Sequence, residues 1–560
     1  MSQVVINTSS SASALEPHKT VTSRVTGTVN YINAREVTNA EDLLAEIGYK
    51  QELRRTYSTF EVFGIAFSIM GLLPSIATII TLGLVPGPAA LVWGWFIVGA
   101  FIFGVGVSMA ELASAIPTSG GLYYWTYHYA PVKYKAALSF LVGTTNSMAL
   151  AGAVCSITYA FAQQFITAIY LGLDGSFKIT DAMIYGAFAG AIIIEMCVTC
   201  FSTKSTSKLQ MLSIVCNVGL IVLFLIALPI GTKMNAKFND AKFIFAKYDN
   251  LSDWPDGWAF FQFGFMPAVW TIGAFDSCVH MSEESKTPSR SVPIGILGSI
   301  TACWIGGFII NIVICACMTT DIESVLNTGT GQPLMFIIQS NLGKKWAVAF
   351  SAMAAFCQLL MASSTLTAIS RQVWAFARDD GLPFSRYIKI VDKKTQVPRN
   401  AVAASAVAAL AIGCLILAGP VAANSLFSIG MIGLYVTYAI PQILRFTSGR
   451  GIFRPGIFYT GKILSPIINF VTIVYQLFIV ILAMFPDSTK VEGPSTMNYA
   501  VAVNCGVWVL SMIYFAVWKH KTYHGPKSNL DDDDDDYDSL SVHDGHEMTH
   551  QSSSGIIEKS

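Results

Sequence analysis

The residues best placed to do chemistry lie in two apolar stretches that are each interrupted by helix-breaking residues. The first stretch contains Gly71 and Pro74, and the second contains Pro267, Gly273 and the carboxylate Asp276. A break inside a membrane span frees backbone polar groups, which is costly unless protein or a water-filled cavity surrounds them. The breaks lie about 200 residues apart, and each opens a set of apolar stretches. This arrangement predicts an inverted-repeat transporter with a binding site near the middle of the membrane.

The two breaks offer opposite polarity to a ligand. Amides at the helix N-terminus created near Gly71 carry partial positive charge and suit a carboxylate, and glycine allows a close approach. Carbonyls freed near Ile272 and Gly273, with Asp276 beside them, suit an ammonium group. The pair of breaks therefore predicts a zwitterionic ligand held between them.

Asp276 is the side chain that we most expect to be functional, because an intramembrane carboxylate is expensive unless it is paired, protonated or in use. We expect it to contact the ammonium group, and it is also our candidate for proton coupling. The alternatives are a structural Asp276 facing the bundle interior, and a simple kink at Gly71 and Pro74. Glu195 lies in another apolar stretch without a flanking break, and we expect it to be structural.

The sequence gives little support for a metal site, an enzyme active site or nucleic-acid binding. Cys197 and Cys200 have a metal-like spacing, but no second pair accompanies them, and we expect them to pack in an apolar helix. No nucleophile with a neighbouring base and no set of metal ligands stands out, so we expect no enzyme activity, cofactor or metal. The formal net charge is zero, which gives no indication of a nucleic-acid partner.

The elements that position these residues are long apolar helices. Of the 560 residues, 53% are hydrophobic and only 12% are charged, against roughly 25% charged in a soluble domain. About 20 helical residues cross the ~30 Å hydrocarbon core of a membrane. We therefore predict an all-α integral membrane protein of about twelve spans. The predicted spans are 60–83, 88–114, 136–170, 183–201, 209–231, 258–280, 293–318, 346–377, 401–419, 422–444, 463–486 and 498–518.

Charge distribution predicts the orientation. With twelve spans both tails share one side, and the loops on that side carry about twice as many Lys and Arg residues as the loops on the other. The positive-inside rule then places both termini in the cytoplasm. The predicted organisation is a cytoplasmic N-terminal tail (1–59), a first five-helix repeat (60–231), an extracytoplasmic loop (232–257), a second five-helix repeat (258–444), two further helices (445–518) and an acidic C-terminal tail (519–560).

The tails have compositions that bury no core. The first 30 residues are rich in Ser and Thr, and the last 35 contain the run Asp531 to Asp536, so we expect disorder there. Whether regulatory partners bind these tails is a question that the sequence leaves open. Near the membrane, Leu44, Ile47 and Leu53 recur at near-helical spacing beside basic residues, which predicts a short interfacial helix.

Three longer motifs resemble those of the amino acid-polyamine-organocation superfamily. Residues 109–125 (MAELASAIPTSGGLYYW) resemble its second-span signature, residues 273–285 (GAFDSCVHMSEES) its sixth-span signature, and residues 377–383 (ARDDGLP) a third. Within the superfamily the chain is similar to the fungal amino acid and choline transporters over about residues 28–530. The resemblance implies a LeuT-type fold of two inverted five-helix repeats plus two further helices, and transport by alternating access. It also places Glu283 and Glu284 in a cytoplasmic loop as structural or gating residues.

The resemblance also implies a set of site residues. The carboxylate contacts fall on Gly71, Leu72 and Ser75, and the amine contacts on Ile272, Gly273 and Asp276, with Phe275 as a gate over the substrate. The residues implied to face the same cavity from other spans are Asn146, Ser363, Ser364 and Tyr435. One departure concerns coupling, because Asn217 stands where some bacterial relatives have a lysine.

The resemblance implies uptake of GABA or a related ω-amino acid, coupled to protons, in the plasma membrane or else the vacuolar membrane. A polyamine or choline carrier is the alternative within transport. Polyamines would require several cavity carboxylates and choline an aromatic cage, whereas Asp276 is the one clear acid. A receptor that binds an amino acid without moving it is a further alternative, although it would usually carry a large folded cytoplasmic extension.

Overall fold

A computed structural model describes residues 40–201, 203–329, 331–490, 493 and 497–528. Across these ranges every regular element is helical, and Tyr57 and Ser285 form an isolated parallel bridge. The fold class is therefore confirmed as all-α. The tail segments 1–39 and 529–560, for which we predicted disorder, lie outside the described residues.

The described residues form twelve candidate membrane spans. Within the described ranges, eleven are long and apolar enough to cross a membrane, and the sixth is assembled from short segments. In chain order they are α2 (Thr59–Met70) with α3 (Leu72–Leu84), α4 (Pro88–Ala115), α6 (Lys135–Gly172), α7 (Asp181–Thr199), α8 (Thr203–Asn235), the broken sixth span, α13 (Pro288–Cys317), α16 (Lys344–Arg378), α18 (Arg399–Gly413), α19 (Pro420–Phe446), α20 (Leu464–Leu482) and α21 (Ala500–Val517). The sixth span consists of α10 (Asp256–Ala259), a π-helical turn (Phe260–Gly264), α11 (Met266–Thr271) and α12 (Ser277–His280). The shorter helices between spans are α1 (Ala40–Glu46), α5 (Gly121–Tyr129), α9 (Ala241–Ala246), α14 (Ile322–Leu326), α15 (Pro333–Leu342) and α17 (Ser385–Ile388).

The first span breaks at Gly71 for a steric reason. Helix α2 begins with a capping box between Ser58 and Glu61, and it ends at Gly71, which adopts a left-handed conformation with φ 36°. A Cβ at Gly71 would lie 1.9 Å from the Met361 Sδ of α16. Both the backbone angle and the close approach of α16 therefore require glycine here, and α3 restarts at Leu72.

The sixth span breaks between α11 and α12. The Ile272 amide still donates to the Ala268 carbonyl at 2.9 Å, but Ala274 then takes a positive φ of 54°. The chain re-enters a helix at Ser277, capped by Asp276, whose carbonyl accepts from the Val279 amide at 2.8 Å. The break leaves carbonyls at the end of α11 without the next helical turn to satisfy them.

Helix α6 lies at the centre of the bundle, where it packs against both α16 and α19. It is 38 residues long and mostly buried. A second group is formed by α13, which packs against α4 and α2. The broken segments α3, α11 and α12 lie between these packed helices, so the breaks are surrounded by protein.

The segment that we predicted as a short interfacial helix is helical over Ala40–Glu46, and its apolar side chains pack on the protein. Leu44 and Leu53 are only 2% and 1% exposed, and the Tyr124 hydroxyl donates to the Ile47 carbonyl. A stripe of apolar residues looks the same whether lipid or protein covers it, so its spacing alone does not show which of the two it contacts. Since Tyr49 and Lys527 both bond Asp379, the two described ends of the chain meet on one face, which we call the tail face.

Candidate substrate site

Two cavities lie along the path between the breaks and the face opposite the tails. The outer cavity has a volume of about 470 Å³ and reaches Asp487, Ser488 and Asn498, which lie in the connection between α20 and α21. That connection is one crossing away from the tail face, so the outer cavity opens on the opposite side. The outer cavity is therefore on the side of the protein away from the tails.

The inner cavity, of about 40 Å³, lies between the two breaks. Ile69 and Ser75 line it from the first span, and Gly273 and Ala274 from the sixth. Its other lining residues come from α6, α11 and α19. We expected a site in this position, and the geometry brings the two breaks to the same small space.

Trp270 and Met431 line both cavities and separate them. The Trp270 ring packs on Phe427, with the ring centroids 5.2 Å apart. A space of 40 Å³ holds only a few water molecules. An organic ligand can therefore reach the inner cavity from the outer one only if Trp270 or Met431 moves.

The residues expected at the site divide into two groups. Ser75, Gly273 and Tyr435 line the inner cavity. The Ser75 hydroxyl donates to the Met70 carbonyl at 2.8 Å and so bridges the first break. The expected residues that line neither described cavity are Gly71, Leu72, Asn146, Ile272, Phe275, Asp276, Ser363 and Ser364.

Asp276 lies directly behind the cavity wall and is fully buried. Its Oδ1 accepts a hydrogen bond from the Tyr438 hydroxyl at 2.8 Å, and its Oδ2 accepts one from the Asn146 Nδ2 at 2.9 Å. The His280 Nε2 lies 3.3 Å from Oδ2. Tyr438 itself lines the inner cavity, so the carboxylate reaches the cavity through this phenol.

Tyr438 and His280 were missed from the sequence, although their spacing gave a signal. His280 follows Asp276 by four residues, and Tyr438 follows Tyr435 by three, so each shares a helix face with a residue already singled out. Phe275, expected as the gate, is fully buried and packs on Tyr438 at 5.0 Å. The side chains between the two cavities are those of Trp270 and Met431.

Two polar residues expected at the site, together with Asn217 at the position of the bacterial lysine, bond to helix backbone or to the fifth span. Ser364 donates to the Gln210 Oε1 of α8 at 2.7 Å, and Ser363 donates to the Leu359 carbonyl of its own helix. Asn217 donates to the Ser213 carbonyl one turn earlier in α8. These side chains donate hydrogen bonds to acceptors on α8 and α16 and do not line the inner cavity.

The route from the breaks to the tail face is closed by buried ion pairs. Arg378 bonds Glu283 at 3.0 Å, and Arg371 bonds Glu284 at 2.7 Å. Glu283 also accepts from the Ser119 amide at 3.2 Å. The loop between α12 and α13 is thus tied to α16 and to the turn before α5, and this tie seals the tail side.

Asp379 extends this closure to both described ends of the chain. Its carboxylate accepts from the hydroxyls of Tyr123 and Tyr49 at 2.7 and 2.9 Å, and from the Lys527 amide at 3.2 Å. Burial raises the pKa of Asp379 to about 6, even though the neighbouring Arg378 and these hydrogen bonds lower it. Segments near both ends therefore take part in holding the tail face shut.

Comparison with known proteins agrees with this architecture. The family profile described as amino acid permease matches residues 57–509. The chain is 55% identical over 509 residues to the GABA-specific permease of Saccharomyces cerevisiae, covering 91% of this chain and 89% of that protein. It is 31% identical to an uncharacterized amino-acid permease of Schizosaccharomyces pombe, covering 86% of each chain. It is also 31% identical to a putative polyamine transporter of Candida albicans, covering 92% of this chain and 94% of that protein.

Proposed function

Since the chain belongs to the amino acid permease family and is a membrane transporter rather than an enzyme, we propose that it carries GABA or a related ω-amino acid by proton-coupled symport. The observation that most supports this choice of substrate is the 55% identity, over 91% of the chain, to a protein named as a GABA-specific permease. The cavity between two breaks of opposite polarity supports the same choice, because such a ligand has one carboxylate and one ammonium group.

The carboxylate end of the substrate belongs at the first break. The N-terminus of α3 begins at Leu72, and the amides of its first turn have no helical acceptors before them. Pro74 has no amide to offer, and the Gly71 amide already donates to the Phe67 carbonyl at 3.2 Å, so the donors are the amides at Leu72 and Leu73, with the Ser75 hydroxyl. A carboxylate there would compete with the Met70 carbonyl for the Ser75 hydroxyl.

The ammonium end belongs at the sixth break. The Gly273 Cα lies against the carbonyls of α11, since a Cβ added there would stand 3.1 Å from the Trp270 carbonyl oxygen. These carbonyls and those near Ile272 can accept from an ammonium group in the inner cavity. Asp276 adds negative charge from behind the wall, through Tyr438. Asn146 holds the second carboxylate oxygen in place.

Alternating access follows from the two closures. The inner cavity is shut from the outer one by Trp270 and Met431, and from the tail face by the Arg378–Glu283 and Arg371–Glu284 pairs. We propose that the substrate enters past Trp270 and leaves when the ion pairs separate. We also propose that both termini are cytoplasmic and that the protein works in the plasma membrane.

A polyamine or choline substrate is the competing choice within this family. Of the residues described as lining the two cavities, only Asp487 in the outer one is a carboxylate, and a polyamine would require several. The aromatic side chains near Trp270 are the feature that a quaternary ammonium would use. A transport assay must therefore include both competitors.

Uptake of labelled GABA into fungal cells that lack their own GABA permeases tests the proposal. We expect concentrative uptake that excess unlabelled GABA abolishes, that putrescine and choline leave nearly unchanged, and that an uncoupler stops. Uptake of choline or putrescine without GABA would overturn the substrate. GABA uptake that persists without a proton gradient would overturn the coupling alone.

A further inference from the structure

His280 is an imidazole held between two hydrogen-bond acceptors. Its side chain is fully buried, its Nδ1 lies 2.9 Å from the Ser119 carbonyl oxygen, and its Nε2 lies 3.3 Å from the Asp276 Oδ2. A neutral imidazole has one N–H and one lone pair. Whichever tautomer is present, a neutral ring beside an ionised Asp276 would leave one of the two acceptors facing a lone pair.

We propose that His280 and Asp276 share the coupling proton, and that the state described here is the proton-loaded one. This inference rests on the proposed function and names the residue pair that performs its coupling. With the proton present, Nδ1 donates to Ser119 and the second proton lies between Nε2 and Oδ2. Asp276 then keeps its hydrogen bonds from Tyr438 and Asn146.

Among the groups that face this pair from the neighbouring helices, none competes with it for the proton. The Tyr438 phenol faces it from α19, and Asn146 from α6 is not titratable. Cys278, on α12, has its thiol turned toward the Val62 carbonyl of α2. The helices α2, α13 and α16 also pack against α12. Their charged groups are already paired or exposed: Glu61 with Ser58 and Ser207, Arg290 exposed, and Arg371 and Arg378 each with a glutamate.

Ser119 connects the shared proton to the closure of the tail face. Its carbonyl accepts from His280, while its amide donates to Glu283, which is the partner of Arg378. Loss of the proton leaves either the Ser119 contact or the Asp276 contact without a hydrogen. The shared proton therefore lies next to the contact between α12 and the turn before α5, and a change in its position changes a contact of the closed tail face.

On the other side, Tyr438 connects the same proton to the substrate. Its hydroxyl donates to Asp276 while its side chain lines the inner cavity. An ammonium group arriving at this wall meets a carboxylate whose charge depends on where the shared proton lies. Substrate and proton thus act on one carboxylate from two directions, so the binding of each changes the affinity of the site for the other.

Purified protein in liposomes, with the membrane potential clamped at zero, tests the pair. An inward gradient of about one pH unit drives about tenfold accumulation of substrate if one proton is coupled. We expect this of the wild type, with a proton flux equal to the GABA flux when measured by an internal pH dye. His280→Gln should still exchange internal for external GABA, but it should not accumulate it above about onefold.

Asp276→Asn is the second variant. Its asparagine amide can donate to a neutral His280, so the fold of this variant does not depend on a shared proton. We expect it also to lose gradient-driven accumulation. Glu195→Gln is the matched control, since Glu195 is a buried span carboxylate that bonds Thr158 and lines neither described cavity. It should keep the full accumulation.

The outcomes separate this inference from the proposed function. If the wild type does not transport GABA at all, the proposed function fails. If the wild type accumulates GABA and His280→Gln accumulates it equally well, His280 does not carry the proton. Should His280→Gln fail to reach the membrane, Asp276→Asn decides, and accumulation by that variant would overturn the shared proton.

Discussion

The Tyr438 hydroxyl donates a 2.8 Å hydrogen bond to the Asp276 Oδ1 and joins a buried carboxylate to the inner cavity. Removing this hydroxyl should weaken substrate binding without removing the carboxylate. A hydrogen bond to a charged group contributes about 1.5–3 kcal/mol. Tyr438→Phe should therefore lower the efficiency of GABA uptake about tenfold or more, mainly through a higher KM, in concentration-dependent uptake assays. Tyr514→Phe, on α21 and away from both cavities, should behave as wild type, and equal loss in both variants would contradict the assignment.

Gly71 tests the close packing at the first break. Gly71→Ala should abolish uptake, because the added Cβ would meet the Met361 Sδ at 1.9 Å and the φ of 36° disfavours a side chain. Gly219→Ala is the control, since nothing lies within 4 Å of a Cβ added there. Comparing surface expression with uptake separates misfolding from a damaged site. Normal uptake by Gly71→Ala would mean that the break is not built as described.

Trp270 tests the partition between the cavities. Trp270→Ala would join the outer and inner cavities, so longer ω-amino acids should compete better against GABA than they do in the wild type. The measurement is inhibition of labelled GABA uptake by a series of ω-amino acids of increasing length. Phe275→Ala should not change the length preference, because Phe275 lines neither described cavity. The reverse pattern would restore Phe275 as the gate.

Asp379 predicts a pH dependence of stability. Burial raises its pKa in the folded protein to about 6, well above the ordinary value of an aspartate. The folded state then binds the proton more tightly than the unfolded state, so protonation stabilises the fold, and this contribution grows as the pH falls from about 7 through 6 toward 4. A pKa difference of one between the two states corresponds to about 1.4 kcal/mol. The free energy of unfolding of the detergent-solubilised wild type should therefore rise on acidification relative to that of Asp379→Asn. If the two proteins show the same dependence of this free energy on pH, the prediction is contradicted.

The Glu111–Arg445 pair predicts a stability effect away from the site. These side chains are buried, with 2.6 Å between the Glu111 Oε2 and the Arg445 Nη1. Removing one partner leaves a buried charge and costs about 3–5 kcal/mol. Glu111→Ala should therefore lower the amount of folded protein recovered, measured by size-exclusion profile, while Glu323→Ala on the short helix α14 should not. Equal recovery of both variants would show that the pair is dispensable.

The breaks could be located from the sequence because Gly71, Pro74 and Gly273 interrupt apolar stretches, and hydropathy located the spans. The lining of the cavity could not be predicted in the same way. Whether Ser364 faces the cavity or Gln210 depends on how α16 and α8 pack, and the pairing of Tyr438 with Asp276 joins positions 162 residues apart. Leu44 and Leu53 show the same limit, since the spacing of apolar residues does not show whether they contact lipid or protein.

A structure of the protein with GABA bound is the sharpest test of the polarity assigned to the two broken helices. We predict the carboxylate at the first break, within hydrogen-bond distance of the amides near Leu72 and of the Ser75 hydroxyl. We predict the ammonium at the sixth break, against the carbonyls near Gly273 and beside Tyr438, with Trp270 closed over it. A ligand bound in the opposite orientation, or held only in the outer cavity, would contradict that polarity.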